Sequence, residues 1–202
     1  MAGTLGILLA GGRGARLGLG SPKALAPFGE TTLLDHALVT LRGACDEVVV
    51  SAPAELALPV PRAIRADDPP DAAGPLAGLV AALRARPWSR ALALGVDLPL
   101  VSARLLRALG ALLEGHTAVV PVPRARTQPL AAWYAPAALE PLAAALGRGE
   151  RALVPAVLAL DPRLVADDEL AALGAAPESF LNVNTPEDLA SAVRVRGAGH
   201  RA

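Results

Sequence analysis

Leu5 to Ala10 (LGILLA), near the amino end, is almost wholly apolar and has glycines close by on both sides. A run this short and this apolar reads as a buried strand of a parallel sheet, because a half-exposed strand would alternate with polar residues. A parallel sheet needs crossover connections, and the chain supplies them. Thr31 and Thr32 offer an N-cap before LLDHALVTLR, in which Leu33, Leu34, Ala37, Leu38 and Leu41 recur at helical spacing. Further strands are expected at Glu47 to Ser51, more weakly at Arg62 to Ala66, and at Arg90 to Val96, Thr117 to Val122, Leu130 to Tyr134 and Phe180 to Val183. Helices are expected from Pro75 through Arg84, Ser102 to Leu113, Pro136 to Leu146, Ala152 to Leu160, and onward from Thr185-Pro186-Glu187-Asp188, whose N-cap and acidic first turn mark a start. This alternation predicts a Rossmann-like α/β three-layer sandwich with a mostly parallel central sheet. It is expected to form one domain over residues 1–194, with a frayed tail from Val195 to Ala202. In such a sheet, ligands bind at the carboxyl ends of the strands.

Composition narrows what those ligands can be. Nineteen basic and nineteen acidic residues cancel, so no global field gathers nucleic acid or an anionic membrane, and an anion site has to be local. Aromatic residues make up 2% of the chain, too few to build stacking platforms for single-stranded bases. Cys45 is the only cysteine, which leaves no internal disulfide, no CxxC pair and no thiolate zinc cluster, and fits a cytoplasmic location. The start of the chain has no signal-peptide pattern, and no apolar run approaches a membrane span. Lys23 is the only lysine in a chain that otherwise uses arginine.

Leu8 to Leu25 (LLAGGRGARLGLGSPKAL) follows the first strand directly. Glycines such as Gly11, Gly12 and Gly14 let oxygen-rich ligands approach backbone N–H groups, which form a nest for anions, and Arg16 and Lys23 can neutralise phosphate charge. Gly12 to Gly18 also fits GxGxxxG, the fingerprint of a dinucleotide-binding dehydrogenase. That motif expects a helix to begin within it and an acidic residue at the end of the next strand. Here Gly18 to Pro22 breaks any helix, and the second strand ends in Ser51-Ala52-Pro53. A Walker A loop fails as well, because Pro22 precedes Lys23 and Ala24 follows it.

The strand ending at Val96 runs into Asp97-Leu98-Pro99, which sets a carboxylate at the sheet edge beside the first loop. Mg²⁺ is commonly held by one or two carboxylates together with phosphate oxygens and water, so Asp97 alone could serve; otherwise it is a turn or capping residue. Asp67 and Asp68 follow a strand and precede Gly74 to Gly78, and read equally as nucleotide contacts or as a solvated turn. Asn182 and Asn184 fall on one face of an extended segment at period 2, where they could hold substrate or stabilise a turn. His36, His116 and His200 are scattered, and no Ser/His/Asp set emerges.

Together these residues resemble the molybdenum cofactor guanylyltransferases, the MobA family of nucleotidyltransferases. The resemblance rests on LAGGRGARLG with the following Lys23, AGPLAGL at Ala73 to Leu79, VDLPL at Val96 to Leu100, TQPLAAWY followed by LGRGERAL, and FLNVNTPEDL at Phe180 to Leu189. It implies the nucleotide-diphospho-sugar transferase type of fold and a reaction in which the phosphate of molybdopterin is joined to the α-phosphate of Mg-GTP, with release of pyrophosphate. By the same resemblance, the backbone of Leu9, Ala10 and Gly11 meets the guanine, Lys23 a phosphate, Asp67 the nucleotide with Asp68 as substitute, and Asp97 the magnesium. Gln128, Asn182 and Asn184 would face the molybdopterin side, and transient contacts with other cofactor-biosynthesis proteins or recipient enzymes would follow. Two positions depart from the family's habit: Pro22 stands where an acidic residue is common, and Ser51, among the nucleotide contacts, where an amide is common. Base choice therefore stays open between GTP and CTP, and a relative using another phosphorylated acceptor would keep most of these residues. From a different class, a non-catalytic nucleotide- or partner-binding module would keep the loop without needing both Lys23 and Asp97.

Overall fold

The structure is a computed structural model that describes residues 2–11, 17, 20–60, 62–68 and 74–199 of the chain. Gly12, Gly14 and Arg16 of the glycine-rich loop lie outside the described residues.

In chain order the elements are β1 (Thr4–Leu9), a 3-10 turn at Lys23–Leu25, a small hairpin of β2 (Pro27–Phe28) and β3 (Thr31–Thr32), α1 (Leu33–Arg42), β4 (Glu47–Ala52), β5 (Ile64–Asp67), α2 (Pro75–Arg84), β6 (Arg90–Gly95) and α3 (Ala103–Gly110). They continue with β7 (Ala118–Val122), β8 (Ala131–Tyr134), α4 (Leu139–Gly147), α5 (Leu153–Leu158), β9 (Arg163–Ala166), α6 (Asp167–Ala172) and α7 (Pro186–Gly199). Seven strands form one sheet in the order β5-β4-β1-β6-β8-β7-β9. All its pairings are parallel except those that β8 makes with β6 and β7. The mostly parallel α/β sandwich expected from the alternation is the observed fold.

Alternate residues of one strand feed two separate cores, as the pleat requires. On β1, Leu8 joins a cluster with Leu34, Leu38, Leu41, Leu106, Leu109 and Trp133, which packs α1 and α3 on one face. Leu5 and Ile7 join Leu76, Leu79, Leu83, Leu142, Leu153 and Tyr134 on the other, under α2, α4 and α5. Trp133 and Tyr134 are neighbours on β8 yet point to opposite faces, and each buried polar tip finds a carbonyl: Trp133 Nε1 donates to Leu106 at 2.6 Å and Tyr134 Oη to Pro129 at 2.7 Å. The cap on α1 is the one read from Thr32, whose hydroxyl accepts from the Asp35 N–H at 3.1 Å while Asp35 accepts from the Thr32 N–H at 3.3 Å.

Several boundaries differ from expectation. Phe180 to Val183 is a turn and an extended stretch rather than a strand, because Val183 spends its N–H on the Asp97 carbonyl at 2.9 Å, off the sheet ladder. The weak strand begins at Ile64, since Arg62 takes φ +56°, outside any strand conformation. The helix at Ser102 stops at Gly110, and α7 continues through Val195 to Gly199, part of the tail expected to fray. The β2–β3 hairpin, β9 and α6 have no counterpart in the sequence reading. Among the described residues, no helix is long and apolar enough to cross a membrane.

Candidate nucleotide and acceptor cleft

At the carboxyl edge of the sheet, the ends of β1 and β6 stay in register past the strands: Val96 donates to the Leu9 carbonyl at 3.1 Å, and Ala10 to Ser51 at 2.9 Å. Leu9, Ala10, Gly11, Ser51 and Asp97 are thereby brought to one edge. Leu98 turns back to the Gly95 carbonyl at 3.1 Å, which swings Asp97 over the end of its own strand. A Cβ at position 95 would meet Asp97 Oδ1, so any other residue there would turn this carboxylate from its present place.

Lys23 comes to the same place from the loop. The turn that carries it is closed by bonds from Leu25 to Pro22 at 2.9 Å and from Ala26 to Lys23 at 3.0 Å. Its side chain is 11% exposed, and Nζ lies 2.8 Å from Asn184 Oδ1 and 3.3 Å from Asp97 Oδ2. A buried ammonium without partners costs several kcal/mol, and these two acceptors are what make the position tenable. The loop lysine and the strand aspartate therefore meet across one cleft. Asn184, expected on the acceptor side, accepts a hydrogen bond from Lys23.

On the β4–β5 side of the edge, Ser51 is buried and donates to Asp68 Oδ1 at 2.6 Å. Burial pushes the Asp68 carboxyl above its ordinary range; the Ser51 hydroxyl and the Arg65 charge oppose the shift, and Asp67 and Glu55 add to it. Gly78 of α2 lies close beneath this pair, and a Cβ there would sit 2.7 Å from Ser51 Oγ. Asp67 points away, accepting from Arg65 Nε at 2.8 Å, and Arg65 is itself anchored to the carbonyls of Pro53 and Leu56. Successive side chains at a strand end face opposite ways. Of the two aspartates, it is Asp68 that turns inward beside Gly11 and Asp67 that faces Arg65.

Past Asp97, the amino end of antiparallel β8 brings Gln128 to the same edge, where Nε2 donates to Asn182 Oδ1 at 3.2 Å. A cavity of about 250 Å³ joins Asp97, Gln128 and Asn182 to an apolar wall that includes Pro75, Leu130 and Leu153. The larger cavity, about 560 Å³, opens near Arg90, Glu114 and His116 at the amino end of β6, and none of the candidate residues lines it. Among the described residues, no group of three or more His, Cys, Asp or Glu could enclose a metal ion. Asp97 is the one carboxylate among the described residues that line this cavity, and a single carboxylate can hold magnesium when phosphate oxygens and water complete its shell.

Two residues that shape the cleft were missed in the sequence: Gly95 and Asp188. Gly95 is visible as the glycine two positions before the aspartate, and Asp188 as the acidic residue three positions after Thr185. Nothing local says which atoms they meet.

Comparison with known proteins gives the family. The family described as the MobA-like NTP transferase domain matches residues 6–163. The molybdenum cofactor guanylyltransferase of Sinorhizobium fredii is 34% identical over 195 residues, covering 92% of this chain and 88% of its own. Molybdopterin-guanine dinucleotide biosynthesis protein A of Archaeoglobus fulgidus superposes with a TM-score of 0.79 at 24% identity, over 96% of this chain and 99% of its own. The 2-C-methyl-D-erythritol 4-phosphate cytidylyltransferase of Thermus thermophilus does so with a TM-score of 0.70 at 25% identity, over 96% and 98%. With its loop lysine and strand aspartate facing one another over the carboxyl edge of such a sheet, the chain belongs to the MobA-like NTP transferase family.

Proposed function

We propose that this protein is a molybdenum cofactor guanylyltransferase that moves GMP from GTP onto the phosphate of molybdopterin in the cytoplasm. The observation that carries the reading is the meeting of Lys23 and Asp97 at the mouth of a cavity that runs on to Gln128 and Asn182. A triphosphate over the loop has its α-phosphorus near Asp97, and an acceptor in the cavity approaches from the far side. A phosphate oxygen of the acceptor attacks the α-phosphorus, a phosphoanhydride bond forms, and the bond to the β-phosphate oxygen breaks, releasing pyrophosphate. The attacking phosphate is already ionised at neutral pH, so no general base is needed.

The protein's work is positioning and charge neutralisation. Backbone groups of Leu9, Ala10 and Gly11 contact the guanine, and Ser51 and Asp68 the nucleoside, with Asp67 at the rim. Lys23 holds the phosphates, together with Gly12, Gly14 and Arg16 of the loop. Magnesium, held by Asp97, supplies charge neutralisation on the phosphates. Gln128 and Asn182 orient the acceptor.

Incubating the protein with molybdopterin and each nucleoside triphosphate in the presence of magnesium, and identifying the product by mass, tests the reading. The guanine dinucleotide is the expected product, and a cytosine dinucleotide or no dinucleotide at all overturns it. Asp97→Asn, which keeps an amide oxygen facing Lys23 but removes the charge a metal needs, is expected to reduce turnover at least about a hundredfold with the thermal midpoint little changed.

A further inference from the structure

Of the two acceptors that hold Lys23 at the cleft, Asn184 is the nearer, and Asn184 stands just before the start of α7. Thr185 Oγ1 accepts from the Asp188 N–H at 3.2 Å, and Asp188 Oδ2 accepts from the Thr185 N–H at 2.9 Å, a reciprocal helix cap. The same Oδ2 also accepts from the Asn184 N–H at 2.9 Å, a contact that the cap itself does not need. The preceding residue, Val183, is tied by its N–H to the Asp97 carbonyl. Asn184 is thus fixed from both sides, by Asp97 through Val183 and by the Asp188 side chain, with its own amide oxygen on the Lys23 ammonium.

We propose that Asp188 is a positioning residue of the nucleotide site, which locks the Asn184 turn so that Lys23 is held at the cleft beside Asp97. The Asp188 carboxyl lies below the usual carboxylate range, chiefly because of the Asn184 N–H, with Thr185 and the Lys23 charge adding to the effect. Asp188 touches no substrate in this account; it acts through Asn184. The proposal rests on the function above only where it names a triphosphate as what Lys23 binds.

Lys23 is the chain's one lysine, so isotopic labelling of lysine side chains gives a single ammonium signal that reports its position without any substrate. In Asp188→Ala, the solvent exchange of that ammonium should speed up about tenfold, the scale of one charge-assisted hydrogen bond. Asn184→Ala should do the same, and the double substitution no more, because the two act in series. Asp188→Asn keeps an acceptor oxygen for both N–H groups and should stay within about threefold of the unmodified protein. In turnover, Asp188→Ala should raise KM for the triphosphate more than it lowers kcat. If Asp188→Ala lowers the thermal midpoint but leaves the ammonium's exchange unchanged, or if the two single effects add, Asp188 is a plain helix cap and the proposal falls. The exchange measurement uses no triphosphate, so a chain that failed to make the dinucleotide would still decide the role of Asp188.

Discussion

Asp68, at the rim of the candidate cleft, is held in a place that disfavours its own charge. Its carboxyl is raised by burial, so folding favours the neutral form. Its contribution to stability is complete below the ordinary carboxylate range and is lost as pH rises through the raised value, which leaves the folded protein at neutral pH with a charge that the Ser51 hydroxyl and Arg65 only partly compensate. Asp68→Asn keeps an oxygen for the Ser51 hydroxyl and removes that charge. It should raise the thermal midpoint at pH 7, narrow the gain toward pH 3, and weaken GTP binding; unfolding curves at the two pH values and calorimetry check all three. A midpoint that falls at pH 7 would mean that the carboxylate is better compensated than its burial implies. At this scale Lys23 and Asp97 were legible from residue type and place alone, a lone lysine after a glycine loop and an aspartate just after an apolar strand. The inward turn of Asp68 beside Gly11, the pairing of Asp67 with Arg65, and the bond between Asn184 and Lys23 were not legible, because each depends on which way a side chain turns at a strand or helix end.

At the level of the element, α2 and α7 hold the cleft from opposite faces of the sheet. Gly78 in α2 leaves room for the Ser51–Asp68 pair, with Ser51 Oγ 2.7 Å and Asp68 Oδ1 3.0 Å from where a Cβ would stand. Gly78→Ala should therefore weaken triphosphate binding and lower the midpoint, even though alanine favours a helix interior over glycine by about 1 kcal/mol. Gly147, near the end of α4, has nothing within 4 Å of its Cβ position, and Gly147→Ala should be neutral or stabilising by up to about 1 kcal/mol. Thermal unfolding of the two variants side by side separates the steric effect from helix propensity, and equal midpoints would remove the role given to Gly78. α7 grips the loop region twice: Asn184, just before the helix, takes Lys23, and Arg196 near its far end donates to the Phe28 carbonyl at 3.0 Å and lies over the Phe28 ring. α1, which opens on the Thr32 capping box, and α2, which opens on Pro75, were legible nearly to the residue. β9 was not, because only Val165 of its residues is buried and the apolar Leu164 is half exposed, which leaves little alternation to read.

Across the whole molecule, the alternation of strands and helices foretold a mostly parallel sheet and a site at its carboxyl edge, and that is where Lys23, Ser51, Asp68, Asp97, Gln128 and Asn182 gather. The position of β8 between β6 and β7, running against both, was not readable, since AAWY carries no mark of direction and the pairing is set by partners far along the chain. That reversal matters for function, because it is the amino end of β8 that delivers Gln128 to the edge where every parallel strand delivers its carboxyl end. With no net charge to draw a triphosphate from a distance, the proposed reaction needs one cleft in which Lys23 and Asp97 share a single metal-bound nucleotide. The most direct test is the lysine signal itself, followed while manganese-GTP or magnesium-GTP is added. Paramagnetic manganese-GTP is expected to broaden the Lys23 resonance beyond detection while magnesium-GTP only shifts it. A lysine signal that stays sharp with manganese-GTP bound would place the metal away from Lys23 and Asp97 and contradict the shared cleft.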